Sequence, residues 1–366
     1  MAEWEKIRLG DVCRTNADTY SPKEKWDFVN YLDTGNIINN TIDSIQFIEL
    51  KNMKLPSRAK RKVKTDSIIY STVRPNQRHF GIIKSQPENF LVSTGFVVID
   101  VDTNVLNADF LYYLLTQNTL VDALQAIAEQ STSAYPAIKP SDIENLEIKI
   151  PDLATQKKIS DILSSLDRKI AKNAEINKNL EQQAQAYFDE LFVVNADPNW
   201  PECTLSDIGS VVAGGTPSKS KPEYYADQGI AWITPKDLSV DKSKFISHGE
   251  NDISELGFSK SSATKMPAGT ILFSSRAPIG YIAIAQNEVT TNQGFKSVIP
   301  NENIGTAYVY FLLKNLLPTI EGMASGSTFK EISGAAMKSV PGSMSRLWTQ
   351  KVELFSPYLI ARRDVF

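Results

Sequence analysis

Residues 153–192, LATQKKISDILSSLDRKIAKNAEINKNLEQQAQAYFDELF, decide how this chain is organised. Neither glycine nor proline occurs between Pro151 and Pro198, and most residues in between favour a helix, so the stretch predicts one long helix. Apolar residues recur along it at spacings of three and four, which indicates a seam for a partner helix. The predicted seam residues are Ile159, Leu163, Leu166, Ile170, Ile176, Leu180, Ala184, Tyr187 and Leu191.

The length of this helix favours a role as a coiled-coil spacer. From Ile159 to Leu191 it would span roughly 48 Å, which is similar to the width of a domain. Asn173 and Asn177 lie on or beside the seam, where polar residues often fix the register of a coiled coil. An amphipathic helix lying along its own domain is the alternative that the same pattern allows.

The segments on the two sides of the helix resemble each other, which predicts an internal duplication. WEKIRLGDV (4–12) recurs as WPECTLSDI (200–208), IIYST (68–72) as ILFSS (271–275), FLYYLL (110–115) as YVYFLL (308–313), and LATQK (153–157) as LWTQK (347–351). Short β-rich runs and helical spacings alternate in both halves, so each half is predicted to be an α+β domain. We place the first domain in 1–150, the helical spacer in 151–195, the second domain in 196–342 and a shortened helical region in 343–366.

The bulk composition excludes several classes of protein. A chain of 366 residues with 42% hydrophobic residues is long enough for two globular domains. No apolar run approaches the ~18 residues of a membrane span, and the charged start MAEWEKIRLG does not resemble a signal peptide, so we expect a cytoplasmic protein without membrane contact. Two cysteines predict neither a disulfide framework nor a zinc site. A net charge of −3 leaves room only for a local basic surface.

Residues for catalysis are scarce in this sequence. His79 and His248 are its only histidines, and it contains neither a GxxxxGK[ST] phosphate loop nor a GxGxxG motif after a strand. A stand-alone nuclease or methyltransferase would need a catalytic cluster that the sequence does not show. We therefore predict a binding protein with no catalytic residue, no metal site and no cofactor of its own.

A basic stretch in the first domain is a candidate contact for nucleic acid. Seven cations and no acid lie between Lys51 and Lys64, a density suited to a phosphate backbone, although a solvated surface is the simpler alternative. The candidate contacts are Lys54, Arg58, Lys60, Arg61 and Lys62.

The loop RPNQRH (74–79) carries side chains that can make paired hydrogen bonds to base edges. Its candidates are Arg74, Asn76, Gln77 and Arg78, and a polar turn between two strands is the alternative. In the second domain Arg276 precedes Pro278 at the analogous strand end, so both domains are predicted to direct a guanidinium into this loop.

The second domain carries five segments that together resemble a known family. GGTPSKSKPEYY (214–225), WITPKDL (232–238), LFSSRAPIGYIAI (272–284), TNQGF (291–295) and GSTFKEIS (326–333) are similar to the target-recognition domains of type I restriction-modification specificity subunits. The resemblance extends over nearly the whole chain, with the first domain the more divergent. The candidate contacts in these segments are Thr216, Ser218, Lys219, Lys236, Arg276, Asn292, Gln293, Ser327 and Lys330.

The resemblance implies a function without a catalytic centre in this chain. Each domain would read one half of a split target in double-stranded DNA, and the helix would set the gap and dock two copies of an adenine-N6 methyltransferase subunit. The full enzyme would add ATP-dependent restriction subunits, and the partners would bind S-adenosylmethionine, ATP and magnesium. A coiled-coil scaffold with two protein- or glycan-binding modules is the other reading of the same residues.

One expected departure from that family concerns the second helical region, which the sequence cuts short near Phe366. We expect the seam of the first helix to be exposed in consequence, and to recruit another protein helix or to self-associate.

Overall fold

The computed structural model describes residues 4–130, 135–196, 199–326 and 330–343. The chain divides into two compact units, 1–173 and 174–366, so the boundary lies inside the long helix and each unit takes one part of it. Helices and strands are mixed in both units, which confirms the predicted α+β class with a long helix between the two domains.

The described residues of unit 1 form four sheets. The four-stranded sheets have the orders β6-β3-β10-β7 and β2-β11-β8-β9, and β1-β12 and β4-β5 form two-stranded pairs. The strands are β1 (Glu5–Arg8), β2 (Cys13–Thr15), β3 (Phe28–Leu32), β4 (Ile37–Ile38), β5 (Thr41–Ile42), β6 (Gln46–Glu49), β7 (Ala59–Lys62), β8 (Ile68–Ser71), β9 (Phe80–Ile82), β10 (Phe90–Ser93), β11 (Phe96–Val101) and β12 (Glu147–Ile150). The helices are α1 (Leu9–Val12), α2 (Ala108–Leu115), α3 (Asn118–Glu129), α4 (Pro140–Glu144) and the first part of α5 (Leu153–Asp189).

The central strand β8 shows why the two large sheets of unit 1 stack. All four of its residues, IIYS, are buried, as expected for a strand covered on both faces. Because side chains alternate along a strand, Ile68 and Tyr70 join the core formed with α2 and α3, whereas Ile69 packs against residues of the other large sheet. Each fully buried apolar side chain of this kind stabilises the fold by about 1.5–3 kcal/mol.

Unit 2 repeats this plan. Its sheets have the orders β14-β22-β19-β20-β17, β15-β18-β16-β21 and β13-β23. The strands are β13 (Glu202–Thr204), β14 (Gly209–Ala213), β15 (Tyr225–Ala226), β16 (Ile230–Ile233), β17 (Phe245–Ile246), β18 (Asn251–Ile253), β19 (Ile271–Ser275), β20 (Ile279–Ala285), β21 (Thr290–Thr291), β22 (Lys296–Pro300) and β23 (Pro341–Ser343). The helices are the last part of α5, α6 (Leu205–Ile208), α7 (Pro235–Val240), α8 (Glu255–Ser259), α9 (Thr306–Asn315), α10 (Leu317–Met323) and α11 (Gly334–Lys338).

The two units share their strand pairings, so the internal duplication is present in the structure. The order β2-β11-β8-β9 corresponds to β14-β22-β19-β20, and the parallel pair β3/β10 corresponds to the parallel pair β16/β21. The alternation of β8 also recurs, because Ile271 and Phe273 pack with α9 and Leu272 packs in the other core.

The first turns of α5 are anchored in unit 1 by a buried glutamine. The Gln156 side chain donates to the carbonyls of Val105 and Pro151, at 3.1 and 2.9 Å, and accepts from the Asn107 amide at 2.9 Å. Its complete burial is tolerated because its polar atoms have partners. Gln156 of the repeated LATQK segment therefore fixes the start of α5 to its own unit.

The last turns of α5 belong to the core of unit 2. Ala184, Phe188 and Phe192 are buried among Tyr308 and Phe311 of α9, and a π-helical segment, Glu190–Val194, ends the helix. Glu181 adds ion pairs with Lys314 at 2.8 Å and Lys244 at 3.4 Å.

The middle of α5 presents its apolar side chains to solvent. Leu166 is 52% exposed and Ile170 is 67% exposed, although both lie on the predicted seam. Of the other predicted seam residues, Tyr187 is also exposed, whereas the following are half-buried: Ile159, Leu163, Ile176, Leu180 and Leu191. The partner that the seam predicts is not supplied by the described part of the chain, and the shortened distal helix predicted after Ser343 lies outside the described residues.

Candidate nucleic-acid interface

Three of the recognised segments of unit 2 meet at the carboxyl end of β19. Gly214 and Gly215 pass against the loop after β21, and a Cβ on Gly214 would lie only 2.1 Å from the Asn292 carbonyl oxygen. The Gly215 amide donates to the Thr291 carbonyl at 2.8 Å. Thr216 then hydrogen-bonds Gln293 through their side chains. The paired glycines are needed here because the backbones approach too closely for any side chain.

The TNQGF loop is tied to the end of β19 by backbone hydrogen bonds. Ser275 donates to the Gly294 carbonyl through both its amide, at 2.7 Å, and its hydroxyl, at 3.0 Å. The Asn292 side chain accepts from the Gly294 amide at 2.8 Å and so shapes the loop itself. The loop is therefore rigidly placed beside Arg276.

Arg276 belongs to a small ionic cluster with two residues that the sequence did not single out. Its Nη1 lies 3.4 Å from Glu331 Oε2, and Lys296 Nζ lies 3.5 Å from Glu331 Oε1 and 3.4 Å from the Ser275 hydroxyl. Lys296 is only 8% exposed on β22. The sequence carries a signal for Lys296. Phe96 and Phe295 occupy the same place in the two repeats, but the next residue is the apolar Val97 in unit 1 and the charged Lys296 in unit 2.

The remaining predicted contacts of unit 2 lie on its surface. Lys236 follows the Thr234 capping box and pairs with Glu250 at 2.5 Å, which raises the pKa of the lysine. Ser218 contacts Ser220, and Lys219 and Lys330 are exposed. Ser327 lies outside the described residues.

The basic stretch of unit 1 is not uniformly available. Lys60 is exposed, whereas Lys62, two residues further along β7, pairs with Glu24 at 2.5 Å and lies over the Trp26 ring. The hydrogen bond from Lys62 to Glu24 raises the pKa of the lysine. Arg61, between them, has a buried Nε without a hydrogen-bond partner in the described structure. Strand alternation does not explain the difference between Lys60 and Lys62, because it repeats every two residues; Glu24 and Trp26, which lie beside Lys62, account for it.

Two further cations of the stretch differ in their surroundings. Lys54 is exposed, and no ion pair of its side chain occurs among the described residues. Arg58 is exposed beside Asp33, whose pKa is lowered because hydrogen bonds and the Arg58 charge outweigh the effect of its burial.

The loop after β8 holds its polar side chains in defined places. Arg74 has a positive φ of 48° and stacks its guanidinium over the Tyr135 ring at 5.5 Å. Arg78 Nη2 donates to Asn118 Oδ1 at 2.7 Å. Asn76 and Gln77 are exposed on the short 3-10 turn Pro75–Gln77. Sequence reasoning missed Tyr135, which carries no motif of its own.

The backbone shows that Arg74 and Arg276 occupy neighbouring, not equivalent, positions of the loops that follow β8 and β19. Thr72 and Ser275 are equivalent, because each donates to a glycine carbonyl and accepts from an isoleucine amide, Ile138 or Ile332. The next residues are then Val73 and Arg276, and the residues with positive φ are Arg74 and Ala277. The two arginines are therefore one residue out of register.

The described ranges contain no group of three or more His, Cys, Asp or Glu side chains that could hold a metal ion. In the same ranges no helix is both long and apolar enough to cross a membrane. Cys13 and Cys203 are buried free thiols, and burial raises the pKa of each.

Comparison with known proteins gives consistent matches. The family model described as "Type I restriction modification DNA specificity domain" matches residues 1–182 and 198–352. The HindI specificity subunit of Haemophilus influenzae, a type I restriction enzyme component, is 28% identical over 90% of this chain and 86% of its own length. The MjaIX specificity subunit of Methanocaldococcus jannaschii is 41% identical over 42% of this chain and 36% of its own length.

A solved structure supports the fold. The S subunit of a type I restriction-modification system from M. genitalium superposes with a TM-score of 0.61 at 18% identity, covering 98% of this chain and 91% of that one. At this identity the likeness supports the fold and not the DNA sequence recognised.

Proposed function

The chain belongs to the family of type I restriction modification DNA specificity domains, with one match in each half, and we propose that it is the DNA sequence-specificity subunit of a type I restriction-modification enzyme. Each unit reads one half of a bipartite target in double-stranded DNA. The observation that supports this most is that both units repeat one junction, in which polar loops converge where β8 or β19 ends.

The chemistry of these loops suits a duplex. Arg276 offers a guanidinium that can bind guanine O6 and N7 together, and amide side chains such as Gln77 can bind adenine. Lysines such as Lys60 suit phosphates, which position a protein on DNA without reading its sequence. Gln77 and Lys60 both lie in unit 1, so that unit carries both kinds of side chain.

The reaction itself is assigned to partners in this proposal. Two methyltransferase subunits bring S-adenosylmethionine and methylate adenine, and restriction subunits bring ATP and magnesium. This chain binds none of these cofactors. Such a subunit would act on DNA in the cytoplasm.

The helix α5 has two tasks in the proposal. Its length sets the number of base pairs between the half-sites, and its exposed middle, with Leu166 and Ile170, docks a partner helix of the methyltransferase or of a second copy. Both ends stay embedded in their own cores, so the middle is free for this role.

The decisive experiment is methylome sequencing of cells that express the chain together with its methyltransferase subunit. A single split motif with a fixed gap is expected. Removing seven residues between Leu163 and Leu180 shortens the helix by about 10.5 Å, so the gap should shrink by about 3 base pairs with both half-sites unchanged. A methylome without a split motif would contradict the proposal and favour a scaffold that binds proteins or glycans.

A further inference from the structure

The positions that form the ionic cluster around Arg276 carry apolar side chains in the sister unit. Val73 and Arg276 occupy equivalent positions, because they directly follow the equivalent residues Thr72 and Ser275. Val73 bridges to Ala137 as Arg276 bridges to Glu331. Val97 follows Phe96 on β11 as Lys296 follows Phe295 on β22. Three equivalent positions are therefore charged in unit 2 and apolar in unit 1.

The fold itself does not require these charges. Burying an ammonium such as that of Lys296 costs free energy that an ion pair only partly offsets, and well-packed apolar residues often replace buried ion pairs without loss of stability. Unit 1 shows that Val97 and Ala137 are compatible with the same junction. A costly set that the sister unit lacks indicates a role in function.

The geometry leaves the outer edge of the Arg276 guanidinium available. Its Nη1 faces Glu331, whereas neither Nε nor Nη2 has a hydrogen bond among the described residues. The side chain is 38% exposed. Two parallel donors are thus presented to solvent, as bidentate contact with guanine demands.

We propose that Glu331 and Lys296 are positioning residues that hold Arg276 for one guanine in the half-site of unit 2, whereas Val73 gives unit 1 an apolar contact at the same place. This inference rests on the proposed function. Glu331 fixes the guanidinium through Nη1, and the buried ammonium of Lys296 holds the carboxylate in place from its other oxygen.

The test uses the chain assembled with its methyltransferase subunits and a DNA library randomised at each position of both half-sites. Arg276→Ala should lower the preference for one base pair by about 5- to 150-fold. Glu331→Ala should lower the preference at that same base pair, with preferences in the other half-site unchanged. Glu321→Gln is the matched control, because this exposed carboxylate lies on α10 of the same unit.

A second variant separates positioning from folding. Arg276→Val, Lys296→Val and Glu331→Ala together install the side chains of unit 1, so this triple variant should fold with a thermal midpoint near that of the parent. It should nevertheless lose the preference at that base pair. A uniform fall in methylation of all targets, or loss of the folded state, would indicate a structural role and overturn the inference.

Three other results would also overturn it. Arg276→Ala could leave every base preference intact, Glu331→Ala could leave the Arg276-dependent preference intact, or Glu331→Ala could sharpen that preference because the carboxylate competes with DNA. Failure of the proposed function is distinguishable from all of these, because the parent assembly would then show no split target.

Discussion

Lys60 and Lys62 provide a matched test of which cations touch phosphate. Both lie on β7 two residues apart, but Lys60 is exposed while the ammonium of Lys62 lies 2.5 Å from Glu24. If Lys60 contacts one phosphate, Lys60→Gln should reduce the slope of log affinity against log salt by about 0.9. Between 50 and 200 mM salt this amounts to about 3.5-fold in affinity. Lys62→Gln should change the slope by less than about 0.3, because that charge already has a partner.

The measurement is fluorescence anisotropy of a labelled duplex titrated with the assembled methyltransferase complex at several salt concentrations and fixed pH. A duplex without the target isolates the phosphate contribution from base reading. Replacing Lys51, Lys54 and Lys60 together should reduce the slope by about 2.7, or about 40-fold over the same salt range. Equal effects of Lys60→Gln and Lys62→Gln would refute the reasoning, since pairing would then not decide which cation meets DNA.

Three further predictions concern unit 2. Gly214→Ala should destabilise unit 2 by about 1–3 kcal/mol in denaturant unfolding, because the new Cβ would collide with backbone oxygens. Gly322→Ala is the control, since Gly322 has open space around it and its substitution should not destabilise the unit. Equal effects of the two substitutions would contradict the close approach at Gly214. Phe188→Ala should lower the free energy of unfolding by about 3–5 kcal/mol in the same assay, since this ring is 1% exposed. A loss below about 1 kcal/mol would show that α5 is not part of the core of unit 2. Burial raises the Glu181 pKa, but the ion pairs with Lys314 and Lys244 outweigh it and lower the pKa. The stability that Glu181 contributes is therefore present above its ordinary pKa of 4.5 and lost as pH falls through the lowered value. Glu181→Gln should lower the free energy of unfolding by about 1 kcal/mol at pH 7. It should also reduce the fall in that free energy between about pH 5 and pH 3, and an unchanged fall over this range would contradict the assignment.

Much of the fold could be predicted from patterns that extend over many residues. The long helix follows from the absence of glycine and proline, and the duplication follows from motifs that recur in one order. Strand alternation along IIYS and ILFSS then places the core on both faces of a sheet. These signals are redundant, so a single exception does not hide them.

The candidate site was less predictable because it depends on single positions. A shift of one residue separates Arg74 from Arg276, and the backbone hydrogen bonds of Thr72 and Ser275 establish it. The partner of Lys62 lies at Glu24, far away in the sequence, so a run of cations could not show which one was already neutralised. Contacts of this kind are set by tertiary packing and leave no local pattern.

The way in which α5 ends in two different cores has a consequence for genetic exchange between related specificity genes. A crossover that joins halves from two parents would preserve Gln156 with its own unit and Phe188 with its own unit only if it fell in the exposed middle of the helix. A crossover in a flanking loop would instead join one of the two cores to a foreign helix end. New combinations of recognition units are therefore expected to arise from crossovers within the middle of α5. The two joined halves should then still form one uninterrupted helix.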